Sequence, residues 1–158
     1  MRDAIMAVLR RLDRDLDGVV WVITGSVGLA LQGMSLEPRD VDLQTNEAGA
    51  YEIQRRLAAY TTRPVAFVAR ERTRSHWGAF VIDGIEVEVM GDIQQRAPDG
   101  EWDPAPDLPR LARWVEVDGL RVRVLPLAYE ADAYRRMGRT EKAALIQAYA
   151  DANATTDH

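Results

Sequence analysis

The chain has 158 residues, a formal net charge of −5 at pH 7 and a hydrophobic content of 47%, enough for the core of one ordinary domain. The absence of cysteine excludes disulfides and thiolate metal sites, and two histidines leave few ligands for zinc. We therefore expect any bound metal to be held by oxygen ligands, as Mg²⁺ or Mn²⁺ would be.

The longest apolar run, residues 19–23, is too short to cross a membrane, and the N-terminus lacks the apolar core of a signal peptide. We expect a cytoplasmic protein that does not bind membranes. The acidic net charge argues against non-specific binding of nucleic acid but does not exclude a local basic patch. Lys142 is the only lysine among 20 basic residues. The arginine bias suits phosphate contacts, and a GC-rich genome would also produce it.

Apolar residues recur at helical spacing over residues 5–16, and Gly18 favours a stop, so the sequence predicts a first helix. Residues 19–24 are β-branched and continuously apolar, which is typical of a buried central strand. A short helix over residues 27–32 is predicted next, closed by Gly33. Because Pro38 disfavours helix just before it, residues 41–44 are predicted as a strand.

A helix over residues 50–60 and a strand over 65–69 are predicted to follow. The dipeptides Asp83-Gly84 and Asp118-Gly119 mark two hairpins, with strands over 76–82 and 85–90, and over 114–117 and 120–124. Four prolines predict a loop over 97–109. Two helices, 127–137 and 141–152, complete the chain, with Thr140 as a candidate N-cap.

This order of elements predicts an α+β fold with a mixed β-sheet, flanking helices and a helical C-terminal end. We expect an α+β domain over residues 1–125 and C-terminal helices packed on that domain over 126–153. A frayed tail is predicted over residues 154–158.

Two pairs of carboxylates alternate with apolar residues in the predicted strands. Asp40 and Asp42 share one strand face, as do Glu86 and Glu88, because successive side chains of a strand point to opposite faces. If these strands are neighbours, three or four carboxylates converge on one spot. Such a spot either binds a hard divalent cation or suffers strong repulsion.

Gly25 and Ser26 precede the first acidic strand, at the start of the predicted short helix. Free backbone N–H groups and the helix dipole favour a phosphate there. Magnesium held by Asp40 and Asp42 could bridge phosphate oxygens, and a third acid could accept the proton of an incoming hydroxyl.

Residues 23–26, 39–43 and 84–89 together resemble the nucleotidyltransferase superfamily with the DNA polymerase β-like palm fold. Its signature is an apolar strand, Gly-Ser, then Asp-x-Asp and a third acid on a later strand. The match covers residues 19–91. The small size is similar to that of stand-alone bacterial and archaeal members, near the aminoglycoside nucleotidyltransferases.

The resemblance implies transfer of a nucleoside monophosphate from an NTP, taken to be ATP, to an unidentified hydroxyl acceptor, with release of pyrophosphate. The implied catalytic and metal-ligating residues are Asp40, Asp42 and Glu88. The candidate nucleotide-binding and phosphate-binding residues are Gly25, Ser26 and Arg39 from the matching motifs, with Arg72 and Arg74 from the alternating arginines that precede the second acidic strand.

Further candidates carry alternatives. Glu86 competes with Glu88 as the third acid, and we favour Glu88 for its position after the Asp-Gly turn. Arg70, Arg72 and Arg74 could hold triphosphate or an acidic acceptor, or could belong to a solvated loop. His76 could assist proton transfer or be structural. Arg135 and Arg139 could reach the triphosphate or form a solvated helix face.

A rival hypothesis is a non-catalytic module that binds nucleotide or a protein, such as one partner of a toxin–antitoxin pair. A homo-oligomer remains open.

Overall fold

A computed structural model describes residues 1–154. Its elements are the helices α1 (Asp3–Asp15), α2 (Gly25–Leu31), α3 (Glu47–Arg56), α4 (Leu108–Leu111), α5 (Leu127–Arg136) and α6 (Thr140–Ala154). The strands are β1 (Val22–Thr24), β2 (Val41–Thr45), β3 (Thr61–Ala69), β4 (Thr73–Ile82), β5 (Ile85–Gln95), β6 (Arg113–Val117) and β7 (Leu120–Val124). No helix within residues 1–154 is both long and apolar enough to span a membrane.

The seven strands form one sheet in the order β3-β4-β5-β2-β1-β7-β6. The β2–β5 and β1–β7 pairs are parallel, and the other neighbours are antiparallel. The predicted α+β fold with a mixed sheet and a helical C-terminal end is therefore confirmed. Both Asp-Gly hairpin turns form where predicted. In each turn both residues have positive φ, 50° and 78° at Asp83 and Gly84, and 51° and 77° at Asp118 and Gly119.

The main core lies on one face of the sheet, where α1 and α3 pack against the apolar residues of the strands. Val41 and Leu43 of β2 and Val87 and Val89 of β5 are fully buried in it. The alternation of a strand then turns Asp42 and Glu88 to the opposite face. A smaller cluster on Leu29 joins α2 to α5 and α6.

Several boundaries differ from prediction, and β3, β4 and β5 are each longer than the strands predicted over 65–69, 76–82 and 85–90. The strand expected over 19–24 is paired only over Val22–Thr24, because its antiparallel neighbour β2 ends at Thr45, directly before the cap of α3. The helix expected over 50–60 begins at Glu47, where Asn46 accepts a hydrogen bond from the Gly49 N–H, and its last turn is a separate 3₁₀ helix.

The loop expected over 97–109 contains the start of α4, which Asp107 caps. Thr140 was predicted as the N-cap that precedes the last helix. In the structure it is instead the first residue of α6. Ala154 is the last residue of α6, so the tail predicted over 154–158 otherwise lies outside the described residues.

Candidate active site

Three strands carry a row of polar side chains across the middle of the sheet. Thr24 in β1 is paired with Asp42 in β2, and Asp42 is paired with Glu88 in β5. Directly opposed residues of a sheet share a face, so these side chains are neighbours. The pairing brings together two acidic segments that are far apart in the chain.

The carboxylates of this row disturb one another. Burial, followed by the charges of Asp40 and Glu86, raises the pKa of Asp42 to about 6. Burial and the charge of Asp42 also raise the pKa of Glu88, against a lowering effect of a hydrogen bond from Trp77. The strand register pairs Asp42 with Glu88, and Glu86, two residues earlier on the same face, is near enough for its charge to act on Asp42 as well.

Oxygen donors that raise one another's pKa form a set whose repulsion a hard divalent cation would relieve. Asp40 is exposed beside the row and contributes to this repulsion. Within residues 1–154, no three carboxylate or histidine side chains are grouped closely enough to hold an ion as they stand. The donor chemistry fits Mg²⁺ or Mn²⁺, and binding would require the side chains of Asp40 and Glu88 to adjust.

The turn at Gly25 lies directly against Asp42. Gly25 has φ +68°, and a Cβ atom added there would lie 2.5 Å from Asp42 Oδ2. Only glycine permits both this backbone conformation and this approach. The start of α2 is thus held beside the carboxylate row, as the order of the sequence motifs predicted, and Ser26 follows in the first turn of α2.

Glu130 anchors this turn, and sequence analysis missed it. Its side chain on α5 is 4% exposed, and Oε1 accepts hydrogen bonds from the Thr24 hydroxyl and from the Gly25 N–H, the latter at 3.2 Å. Burial outweighs both bonds and raises the pKa of Glu130 to about 7. An acid on the apolar stripe of α5, between Leu127 and Ala131, was the available signal.

The C-terminal helices also bring cations to the site. Lys142 Nζ lies 4.7 Å from the centre of the Tyr134 ring, and the Arg139 guanidinium lies 4.9 Å from it. Burial and the charge of Arg139 lower the pKa of Lys142, while Glu130 and Asp42 act in the opposite direction. Asp42 and Lys142 therefore interact across the gap between the sheet and α6. That Lys142 is the only lysine was the signal in the sequence.

The arginines predicted from the strands and their loops contact different parts of the chain. Arg39 is exposed and lines a shallow depression with Arg2 and Glu37. Arg72 lies against Gly138, in the turn between α5 and α6.

Two further arginines already have partners. Arg74 donates from Nε to Gln94 Oε1 at 2.8 Å and covers the Trp102 ring. Arg135 is paired with exposed Asp132 at 3.3 Å, which places it on the solvated face of α5.

His76 does not share the face of Glu88. In β4 it precedes Trp77, which is paired with Met90, so His76 points to the face that carries α3. There its ring contacts Tyr51 and Phe67, and Nε2 lies 3.6 Å from Glu47 Oε1. The placement of His76 thus contradicts a role in proton transfer at the carboxylate row and supports the structural alternative.

A cavity of about 350 Å³ adjoins the row on the side of β3 and β4. The residues that line it are Val68, Arg70, Thr73, Ser75, Trp77, Glu88, Met90 and Ile93. Glu88 therefore faces both Asp42 and an open cavity, a position from which a carboxylate can reach a second substrate.

The fold and this row define a nucleotidyltransferase-like protein. Residues 4–148 match the sequence profile of the aminoglycoside-2''-adenylyltransferase family, and the chain belongs to that family. No curated protein matches the chain.

Solved structures agree on the fold. A candidate nucleotidyltransferase from Thermotoga maritima is 42% identical, with a TM-score of 0.84 over 96% of this chain and 95% of its own. A lincosamide antibiotic adenylyltransferase bound to lincomycin is 12% identical, with a TM-score of 0.54 over 82% of this chain and 83% of its own. ANT(2'')-Ia in complex with adenylyl-2''-tobramycin is 14% identical, with a TM-score of 0.51 over 96% and 97%. The last two show the fold alone.

Proposed function

We propose that this protein transfers a nucleoside monophosphate from an NTP to a hydroxyl group of a small acceptor and releases pyrophosphate. The observation that carries the proposal is the register of Asp42 with Glu88 on adjacent parallel strands, beside the glycine turn at Gly25. The family is described as an adenylyltransferase, as is the lincosamide relative, and this supports ATP as the donor.

In this reaction the acceptor oxygen attacks the α-phosphorus of the nucleotide. The new P–O bond forms as the bond between the α-phosphorus and the bridging oxygen breaks, and pyrophosphate leaves with that electron pair. Glu88 would either take the proton of the acceptor hydroxyl or complete the metal site, the two roles open to the third acid. The protein contributes mainly by positioning the reactants and by electrostatic stabilisation.

Asp40, Asp42 and Glu88 would hold the divalent metal. When bound, Mg²⁺ or Mn²⁺ neutralises charge on phosphate oxygens and polarises the phosphorus. The N-terminal turn of α2, with Ser26, would contact the triphosphate. The Gly25 N–H already donates a hydrogen bond to Glu130. Gly25 therefore contributes by its positive φ and by the lack of a Cβ atom, which together allow the turn to lie against Asp42. Lys142 of α6 and Arg139, in the turn before α6, would supply positive charge. A cytoplasmic location remains a prediction.

Asp42→Asn tests the assignment in a pyrophosphate-release assay with Mg²⁺ and ATP. We expect the rate to fall roughly a hundredfold or more, because the amide is a poor metal ligand. The variant should stay folded, since it removes a buried charge whose pKa is raised in the native state. Asp118→Asn, at an exposed hairpin turn, is the control. Equal rates for Asp42→Asn and wild type would refute the metal-ligand assignment.

A further inference from the structure

The family to which this chain belongs is named for an aminoglycoside substrate. The cavity beside Glu88, however, is lined by one acidic and one basic side chain. An aminoglycoside is a polycation, and a site for one requires several carboxylates. The other carboxylates near Glu88 belong to the row that would hold the metal, so Glu88 is the one acid among the described residues that line this cavity, and Arg70 lines it as well. The charge on the cavity wall thus favours a different class of acceptor.

Two guanidinium groups cover the same aromatic ring in this region. Arg63 lies 4.4 Å and Arg70 5.6 Å from the centre of the Trp77 ring. Among the described residues neither arginine forms an ion pair, so both keep their charge uncompensated by a carboxylate. An arginine that contacts an aromatic ring keeps its planar set of N–H donors, which suits bidentate binding of a carboxylate or phosphate.

Ser75 adds a second, independent observation. Its side chain lines the cavity and is 8% exposed, yet its hydroxyl makes no hydrogen bond to any of the residues that the structure describes. Thr73, two residues earlier in β4, lines the same cavity. The Ser75 hydroxyl is not among the described side-chain atoms that are buried without a partner, so it is open to the cavity, where it is free to bond to a polar group of a ligand.

We propose that the acceptor is a small anionic hydroxy compound, whose carboxylate or phosphate group binds Arg70 and Ser75 while its hydroxyl faces Glu88. This inference rests on the proposed function. A cavity of about 350 Å³ is of the size that small-molecule sites have. The apolar remainder of the wall, Val68, Met90 and Ile93, accommodates the carbon skeleton between the two polar ends.

The test uses four probes on the full chain by calorimetry, without nucleotide: glycerol 3-phosphate, glycerate, glycerol and tobramycin. Glycerol differs from the first two in lacking the anionic group, and tobramycin represents the polycations. We expect the two anions to bind at millimolar concentrations and the other two to bind more weakly. Tightest binding by tobramycin, equal binding by glycerol, or no binding by either anion would overturn the inference.

Arg70→Ser should weaken binding of the anions about tenfold or more, the effect of losing one charge-assisted hydrogen bond. Arg70→Lys keeps the charge and should lose less. Arg121→Ser is the matched control, because Arg121 of β7 lies 4.4 Å from the centre of the Trp114 ring of β6 and does not line this cavity. An unchanged affinity in Arg70→Ser would place the anion elsewhere and overturn the inference.

A second arm separates this inference from the proposed function. ATP with Mg²⁺ is titrated into the protein saturated with glycerol 3-phosphate. Simultaneous binding supports an acceptor subsite, whereas mutual exclusion assigns the cavity to the triphosphate and overturns the inference without affecting the proposed function. Absence of ATP binding in every condition would instead contradict the proposed function, and the anion titrations would still test the charge preference of the cavity.

Discussion

At the scale of single residues, the site is a set of charges that the fold holds in unfavourable surroundings. Asp42, Glu88 and Glu130 all have raised pKa values, with burial as the largest cause in each case. Lys142 on the facing helix has a lowered pKa for the same reason. Groups of this kind cost stability in the free protein and can be stabilised by a charged ligand.

Glu130→Gln should change how stability depends on pH. The folded protein binds the Glu130 proton more tightly than the unfolded chain, because the pKa rises from 4.5 to about 7 on folding. Wild-type stability therefore falls as pH rises from about 4.5 to 7 and is constant above that range. The variant lacks this contribution. As pH rises through this window, the free energy of unfolding of Glu130→Gln should therefore increase relative to that of wild type by about 3 kcal/mol.

Urea unfolding at a series of pH values measures this effect. Glu141→Gln, at an exposed position in the first turn of α6, is the control and should show no such trend. A constant difference between Glu130→Gln and wild type from pH 4.5 to 8 would contradict the prediction.

Lys142→Ala should raise the KM for ATP while the protein remains folded. Lys142 faces Asp42 and Glu130 across the site. We expect the negatively charged triphosphate to bind beside the Lys142 ammonium group and to form an ion pair with it. We expect an increase of about tenfold or more, the value of one charge-assisted contact. Arg135→Ala removes a cation that is already paired with Asp132 on the surface and should leave KM unchanged. Equal KM values in the two variants would remove Lys142 from the site.

At the scale of elements, the connection from β1 to α2 determines where the carboxylate row meets a nucleotide. Gly25 turns the chain with positive φ, and Glu130 of α5 ties this turn to the C-terminal helices. The position of the turn therefore depends on α5 as well as on β1. The asparagine cap and Asp92, which accepts from the Glu47 N–H at 3.0 Å, fix the start of α3 on the other face.

Gly25→Ala tests the turn against a control with the same backbone. Gly25 and Gly119 both have positive φ, 68° and 77°, but a Cβ at Gly119 would meet nothing within 4 Å. Each substitution should cost about 1 kcal/mol of stability from backbone strain. Only Gly25→Ala should also displace Asp42 and abolish pyrophosphate release. Full activity in Gly25→Ala would show that the contact with Asp42 does not matter for catalysis.

At the scale of the whole molecule, one sheet separates a core from a site. The face that carries α1 and α3 is closed by apolar packing, and the other face bears the acids, the cavity and the C-terminal helices. Asp42 of the sheet and Lys142 of α6 have opposite charges that face each other. A nucleotide with its metal would bind between them and contact both the sheet and α6.

Thermal unfolding with ATP and Mg²⁺ should therefore show a higher Tm than with either ligand alone. Because binding to the native state stabilises by mass action, a hundredfold excess over Kd gives about 2.7 kcal/mol. Asp42→Asn should lose this increase, and Asp118→Asn should keep it. An increase in Tm without turnover of any acceptor would favour the rival hypothesis of a nucleotide-binding module. No increase at all would contradict both hypotheses.

Much of the fold could be predicted because local chemistry determines it. Period-two alternation, helical periodicity and the two Asp-Gly turns identified strands, helices and hairpins within a few residues. The same alternation placed Asp40 with Asp42, and Glu86 with Glu88, on shared strand faces. Boundaries failed where pairing partners set the length, as in β1.

What the sequence determined by itself, then, is the sheet, its helices and the identity of the acids, since these follow from the order of neighbouring residues. Only the tertiary structure decided that Glu88 is the neighbour of Asp42, that His76 faces the other way, and that Glu130 and Lys142 reach the site. These are contacts between segments far apart in the chain, and a strand register or a helix docking position depends on the packing of the whole core.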